Sequence, residues 1–338
     1  MFIQRMLLIV ASVFVFVSIS GYSQDAEWRD PFPHRELTVT VENGVQLEAL
    51  DWGGSGKAVV LLAGLGDTAH VFDDFAPILV KRYRVVGVTR RGFGRSSAPS
   101  SGYDFPRLAE DIVRVIEELG LDRPIIAGHS FAGEEMHILG ARHSAKISGL
   151  IYIDAAFNRA DGSEDYDAIV RKLPPPLKPQ ASDLASMAAL RTFLTRIYGA
   201  VPPEAYLRSR YAFNPDGSVS AEWMPAAPVR QAITAVMQKT ATAYNPERIR
   251  VPALALYPMP RSANELMLPW YKADDPAIRE NVDKLYVLAR ERIHRHAKWF
   301  RSFAEQGRVS EMSGNHYLFL TSVREVLREI DAFISSLK

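Results

Sequence analysis

The chain contains no cysteine. Disulfides, thiolate metal sites, a thiol nucleophile and a cysteine-borne lipid anchor are therefore all excluded. Charge of one sign is lacking as well: 40 basic and 39 acidic residues leave a formal net charge of +1. That balance gives no electrostatic footing for nucleic acid as a partner. There is no internal repeat, no low-complexity tract and no His-Glu-x-x-His or equivalent metal spacing, so no metal is expected. What remains is 338 residues, 47% of them apolar, enough for one large domain carrying an insertion or for two modest ones.

The first residues stand apart. Arg5 is followed by an apolar stretch from Met6 to Ile19, and the small residues Gly21 and Ser23 stand two apart. This pattern predicts a secretory signal peptide cleaved after Ser23, with a secreted or periplasmic mature protein. The alternative is a retained N-terminal membrane anchor. A helix over residues 6–19 rises only about 21 Å, short of a bilayer core of roughly 30 Å, and favours cleavage. No stable membrane insertion is expected once the leader is removed.

Strand-like and helix-like segments then alternate. "RELTVTVE" and "VQLEALDW" flank Asn43-Gly44, a strong hairpin signal. "AVVLLAG", "YRVVGVT", "PIIAGHS" and "ISGLIYID" are short β-branched runs of the kind buried on both faces of a parallel sheet. Between them, "FPRLAEDIVRVIEELG" places Leu108, Ile112, Val115, Ile116 and Leu119 on one helical face with Gly120 as a stop. The expected fold class is α/β, a mostly parallel doubly wound sheet with an N-terminal antiparallel hairpin. The alternation breaks after Asp154 and resumes at "VPALALYP". Residues 155–250 are proline-rich, hold no convincing strand and are expected to form a helical cap over the carboxyl ends of the strands. The core then comprises residues 24–154 and 251–338.

"IIAGHSFAGEEM" (125–136) reads as a buried strand breaking abruptly into a helix. Ser130 occupies the junction, with its neighbouring amides at the positive end of the helix. A serine there is either a helix N-cap or a nucleophile projected toward substrate.

Gly128-His129-Ser130-Phe131-Ala132-Gly133 resembles the nucleophile elbow, Gly-x-Ser-x-Gly, of the α/β-hydrolase fold family, with Ala132 where the second glycine usually stands. A methyl group there asks for a slight displacement of the strand crossing nearby. The resemblance covers roughly residues 35–154 and 250–338. "LLAGLGDTAHVFDDF" resembles that family's oxyanion loop, Ala63 replacing the usual histidine. The resemblance implies backbone donors at Leu65 and Phe131, each lowering the barrier by about 3–4 kcal/mol. The same stretch also fits Gly-x-Gly-x-x-Ala, and the next strand ends in Arg90-Arg91. An NADP-dependent oxidoreductase is therefore a remote alternative. "TRRGFGRSS" resembles the family's Asp-x-Arg-Gly-x-Gly-x-Ser loop with Thr89 for the aspartate, and reads as structural.

The resemblance implies His316, in Gly314-Asn315-His316 after the last strand, as general base, since an imidazole can take and return the serine proton near neutrality. His294 and His296 fall in a charged helix read as a solvated face, and His70, His137 and His143 lack a partner pattern. The family's usual acid position, after the seventh strand, falls at Arg261. A second arrangement in the family puts the acid at the end of the sixth strand, where this sequence has Asp154, with Glu265 the next candidate. The expectation is a serine hydrolase acting on a small ester or amide through an acyl-serine, with no cofactor and a small acyl substrate. A ligand-binding, lyase or oxygenase member of the same fold is the alternative. Phe193, Tyr198, Tyr206, Trp223, Met224 and Met237 in the cap either pack internally or favour an apolar substrate group.

Overall fold

The computed structural model describes residues 28–162, 164–175, 177–243, 247–266 and 275–337. The expected leader lies outside the described residues. Among the described residues no helix is long and apolar enough to cross a membrane.

Asn43-Gly44 makes the predicted hairpin between β1 (Arg35–Glu42) and β2 (Val45–Gly53), with Gly44 at φ +76°. β1 alternates in burial, as an edge strand with one wet face does. Next come β3 (Ala58–Leu62), β4 (Arg84–Val88), β5 (Ile125–His129) and β6 (Gly149–Ile153), followed much later by β9 (Ala253–Pro258) and β10 (Gly307–Met312). Every residue of β3, β5, β6 and β9 is buried. Their continuous apolar runs fit a sheet covered on both faces. The sheet order is β1-β2-β4-β3-β5-β6-β9-β10. β2 pairs antiparallel with β1 and β4, and all other pairings are parallel.

The helix Phe105–Glu118 covers one face. Asp104 caps it by accepting from the Arg107 N–H, and Leu108, Ile112, Val115 and Ile116 are buried. Each such side chain contributes about 1.5–3 kcal/mol of burial free energy. The helices Ala132–Arg142 and Pro276–Phe303 extend that layer, with Met136, Leu139, Phe300 and Phe303 in the same apolar cluster. Val323–Ser335 packs Val326, Ile330 and Phe333 into the cluster on the opposite face.

β6 and β9 are neighbours, Leu150 opposite Ala253, so residues 155–250 form an insertion between adjacent strands. It carries the helices Glu164–Lys172, Met187–Tyr198, Glu204–Arg210 and Ala227–Ala243. It is not wholly helical, which corrects the expectation. β7 (Tyr211–Phe213) and β8 (Val219–Glu222) pair antiparallel. The turn between them is Asn214-Pro215-Asp216-Gly217, with Gly217 at φ +81° and Asp216 accepting from Ser218. These are turn residues whose signal is readable, but the flanking runs are too short for strand periodicity to register.

His137, on the helix Ala132–Arg142, is buried and shares a 2.8 Å hydrogen bond with the Glu247 carbonyl. Burial pushes its imidazole down to about 4. The unfolded chain, with an ordinary value near 6.5, therefore binds a proton in a window where the folded chain does not. This contribution to stability is present above pH 6.5, is lost as pH falls toward 4, and levels off below that. Between pH 7 and pH 5, His137→Gln is expected to lose about 2 kcal/mol less stability than wild type. Urea unfolding midpoints at the two pH values measure the difference.

Candidate active site

The chain steps from β3 to β4 on one side and returns to β5 on the other side of β3. The loops after β3 and β5 therefore diverge at the carboxyl edge of the sheet, the usual place for a site in such folds. Ser130 lies between the end of β5 and the helix Ala132–Arg142, at φ +53°. A non-glycine residue in this left-handed region costs about 1–2 kcal/mol, and such strain is held where surrounding packing over-determines it. Two glycines permit the close packing. A Cβ at Gly128 would stand 2.4 Å from Met136 Sδ, and one at Gly133 would stand 1.9 Å from the Ala155 carbonyl oxygen. The position that cannot carry a side chain is thus Gly133, and the methyl of Ala132 is fully buried in the core.

Asp154 is the first residue beyond β6, also left-handed at φ +44°, and its N–H donates to the Leu256 carbonyl at 2.9 Å. His316 follows β10. Gly314, at φ +138°, turns the chain there, and Asn315 ties the loop to the insertion by donating to the Tyr198 carbonyl at 2.8 Å. The three side chains meet. His316 Nδ1 is 2.6 Å from Asp154 Oδ2, and His316 Nε2 is 3.0 Å from Ser130 Oγ. An ionised Asp154 can only accept, so Nδ1 carries the proton and Nε2 is left to accept from the serine hydroxyl. Burial raises the Asp154 carboxyl, while the hydrogen bond and charge of His316 pull it back down.

Glu265 is engaged elsewhere. It accepts from Ser313 Oγ at 2.7 Å and from the Arg261 N–H at 2.6 Å. Arg261, at the family's usual acid position, is exposed.

The Gly64–Leu65 peptide lies beside the serine: a Cβ on Gly64 would stand 3.4 Å from Ser130 Cβ. Arg90 holds this loop. Its guanidinium donates to the Ala63 carbonyl at 3.0 Å and to the Gly64 carbonyl at 3.3 Å, pairs with Glu135, and stacks 4.8 Å from the centre of the Phe131 ring. In a trans peptide the carbonyl and the next N–H point in opposite directions. Fixing the Gly64 oxygen therefore fixes the Leu65 N–H, and the same side chain braces Phe131. The sequence pattern did not single out this role. The available signal is a charged residue two positions beyond the buried run Val85–Val88.

Two more neighbours escaped the sequence reading. His129 is fully enclosed, and its Nε2 donates to the His316 carbonyl at 2.9 Å while its ring lies 4.4 Å from the His316 ring. Burial, then the neighbouring His316, holds it well below the usual histidine range, so it is neutral. Asp67, in the same loop as Leu65, accepts from Tyr206 at 2.6 Å, and Arg210 donates to Tyr206 at 2.7 Å. The insertion is thereby bolted to the loop. Phe193, Tyr198, Tyr206 and Met237 are buried in packing with the core, Trp223 lies edge-on to Phe93, and Met224 is exposed.

The dinucleotide alternative does not survive the geometry. The loop after β3 leads into a single 3-10 turn, Ala69–Phe72, not into a helix that could receive a pyrophosphate. Arg91 is buried and bidentate on Asp111, and Arg90 is committed to Glu135. Thr89 bonds Glu48 at 2.6 Å and accepts from the Ala69 N–H, a structural part as read. His296 is buried, contrary to the solvated face expected of its helix, and its Nδ1 accepts from the Asn158 N–H at 3.2 Å. His294 is exposed.

Residues 57–203 match the family model of the alpha/beta hydrolase fold. A non-heme haloperoxidase of Rhodococcus erythropolis is 36% identical over 119 residues, 35% of this chain and 43% of that protein. A fluoroacetate dehalogenase of a Burkholderia species is 33% identical over 107 residues, 30% of this chain and 35% of that protein. The chain thus spans less than half the length of these curated relatives. The solved structure of an E-2-(acetamidomethylene)succinate hydrolase superposes over 90% of this chain and 100% of its own, with a TM-score of 0.61 at 19% identity, a likeness of fold. With this strand order, a serine on the left-handed turn after β5 and the match over residues 57–203, the chain has the α/β-hydrolase fold.

Proposed function

We propose that the protein is a serine hydrolase that cleaves small acyl esters, or amides, through an acyl-serine intermediate. The observation that carries this reading is the hydrogen-bond chain from Ser130 through His316 to Asp154, on two left-handed turns. Ser130 Oγ attacks the acyl carbonyl as its proton passes to His316 Nε2. Asp154 holds Nδ1–H and offsets the charge of the imidazolium. The Leu65 and Phe131 N–H groups receive the developing oxyanion. Collapse returns the proton from His316 to the leaving group, and water, deprotonated by His316, releases the acid and restores Ser130. A serine at this position does not support displacement of halide by a carboxylate nucleophile, the chemistry suggested by one relative's name. No cofactor enters this route.

The working protein, in this reading, is the exported chain beginning at Gln24, with residues 155–250 as a cap that shapes the substrate site. An N-terminal mass of secreted protein checks the cleavage. Turnover of acyl esters graded in chain length checks the reaction: a rate well above the uncatalysed one for some members is expected, and inertness toward all would contradict it.

Arg90 supplies a sharper test. Arg90→Met strands the buried Glu135 carboxylate and is expected to destabilise the fold by about 3–5 kcal/mol. The pair Arg90→Met with Glu135→Leu should recover most of that stability. Its kcat should stay depressed, by about tenfold or more, because the Gly64–Leu65 peptide has lost its brace. Melting curves and steady-state rates of both variants separate packing from positioning.

A further inference from the structure

Away from Ser130, the segment before β1 meets the turn Ala69–Phe72 in a buried group of imidazoles and carboxylates. Asp30 Oδ2 is 3.6 Å from His34 Nε2 and 3.5 Å from His70 Nδ1. One ligand atom from each of Asp30, His34 and His70 falls within 4.8 Å of the others. Asp73 closes the group, with Oδ2 2.9 Å from His70 Nδ1 and Oδ1 3.3 Å from His34 Nδ1. Glu48 Oε1 lies 4.0 Å from His70 Nε2.

These side chains are out of water: His34 is 2% exposed, Asp73 0% and His70 8%. Yet His34 Nδ1 and Asp73 Oδ1 face each other without a hydrogen bond, a state that normally costs about 1–3 kcal/mol per buried group. Two imidazoles offset at most two of the three carboxylate charges, and only if both rings are protonated. A divalent cation offsets the same two charges with both rings neutral.

We propose that Asp30 Oδ2, His34 Nε2 and His70 Nδ1 bind one divalent transition metal, zinc by their chemistry, as a clip. Metal bonds of about 2.0–2.2 Å in a tetrahedron set ligand atoms roughly 3.4 Å apart, and the separations of 3.6 and 3.5 Å from Asp30 Oδ2 to the two imidazole nitrogens are close to that figure. Two imidazole nitrogens exclude a preference for magnesium or calcium, which take oxygen. The outer shell fits as well. The second nitrogen of His34 lies 3.3 Å from Asp73 Oδ1 and that of His70 4.0 Å from Glu48 Oε1, so a carboxylate stands near the far side of each ring. The metal would replace the proton between His70 and Asp73 and fasten residues 30–34 to the turn that follows the Gly64–Gly66 loop. No His-Glu-x-x-His spacing announces the site. Its members come as Asp30-x-x-x-His34 and His70-x-x-Asp73, from segments brought together only by the fold.

The experiment uses the full chain, stripped with chelator and titrated with zinc alone. One equivalent is expected to bind at submicromolar Kd and to raise the melting temperature by about 5 °C or more. Cobalt in place of zinc should give the visible absorption of a tetrahedral site. Asp30→Asn and His34→Gln, both in the segment ahead of β1, should weaken zinc binding at least tenfold. His70→Ala, which also removes core packing, is secondary to them. Absence of zinc binding by the stripped wild type, zinc binding unchanged in both variants, or equal stabilisation by magnesium or calcium would each overturn the proposal.

Discussion

Ser130→Ala is expected to reduce ester turnover by at least about a thousandfold while the melting temperature hardly moves. The hydroxyl has one side-chain partner, His316 Nε2 at 3.0 Å, and fills no apolar cavity. Alanine at φ +53° is as strained as serine, so the turn is no worse off. Ser130→Gly provides the control. It should be equally inactive but more stable than the alanine variant by about 1 kcal/mol, since glycine relieves the left-handed strain. A stable, inactive alanine variant together with a more stable glycine variant would identify a strained turn kept for the position of its hydroxyl. Near-wild-type turnover in either would remove Ser130 from the mechanism.

Asp154→Asn tests the third member and should cost a thousandfold or more in kcat, on the order of the loss when a triad aspartate becomes an amide. The amide can donate to His316 Nδ1 across the present 2.6 Å contact. That forces the imidazole proton onto Nε2, which then points a donor at Ser130 and cannot accept. The imidazolium also loses its counter-charge. The fold should tolerate the change. Asparagine is among the few residues at ease at φ +44°, and an amide avoids the burial penalty that raises the Asp154 carboxyl. Wild-type or higher stability is therefore expected beside the lost activity, a trade typical of functional sites. Glu265→Gln should leave turnover within a few-fold of wild type, because its carboxylate meets Ser313 and the Arg261 N–H instead of His316. A severe loss at Glu265 with a mild one at Asp154 would move the acid to the loop after β9.

The strands were legible because parallel strands buried on both faces must be short, continuous and apolar. "AVVLLAG" and "PIIAGHS" satisfy that, and β3 and β5 lie where those runs are. Asn43-Gly44 was legible because few residues other than glycine sit easily at φ +76°. Ser130 stood out by the abrupt end of its strand, and His316 by its place after the last one. Their meeting with Asp154, across 186 and 162 residues of chain, is a product of sheet order. Contacts between distant segments had no local pattern to betray them. The charged composition of its helix suggests a solvated face for His296, whereas the fold buries it against Asn158. The neutral His129 behind His316, the Arg90 brace on Gly64 and the Asp67–Tyr206 bolt are all tertiary. A ribbon of three- and four-residue strands is too short for alternation to exceed chance.

The most direct test is active-site labelling of the full chain with a fluorophosphonate, followed by peptide mass mapping. Serine activated by His316 and an oxyanion hole should take one label per chain, on the peptide carrying Ser130, and ester turnover should vanish in proportion to labelling. Asp154→Asn should slow that labelling on the same scale as it slows turnover. No label on Ser130 in folded protein that hydrolyses esters, or a label on another residue that tracks the loss of activity, would contradict the account.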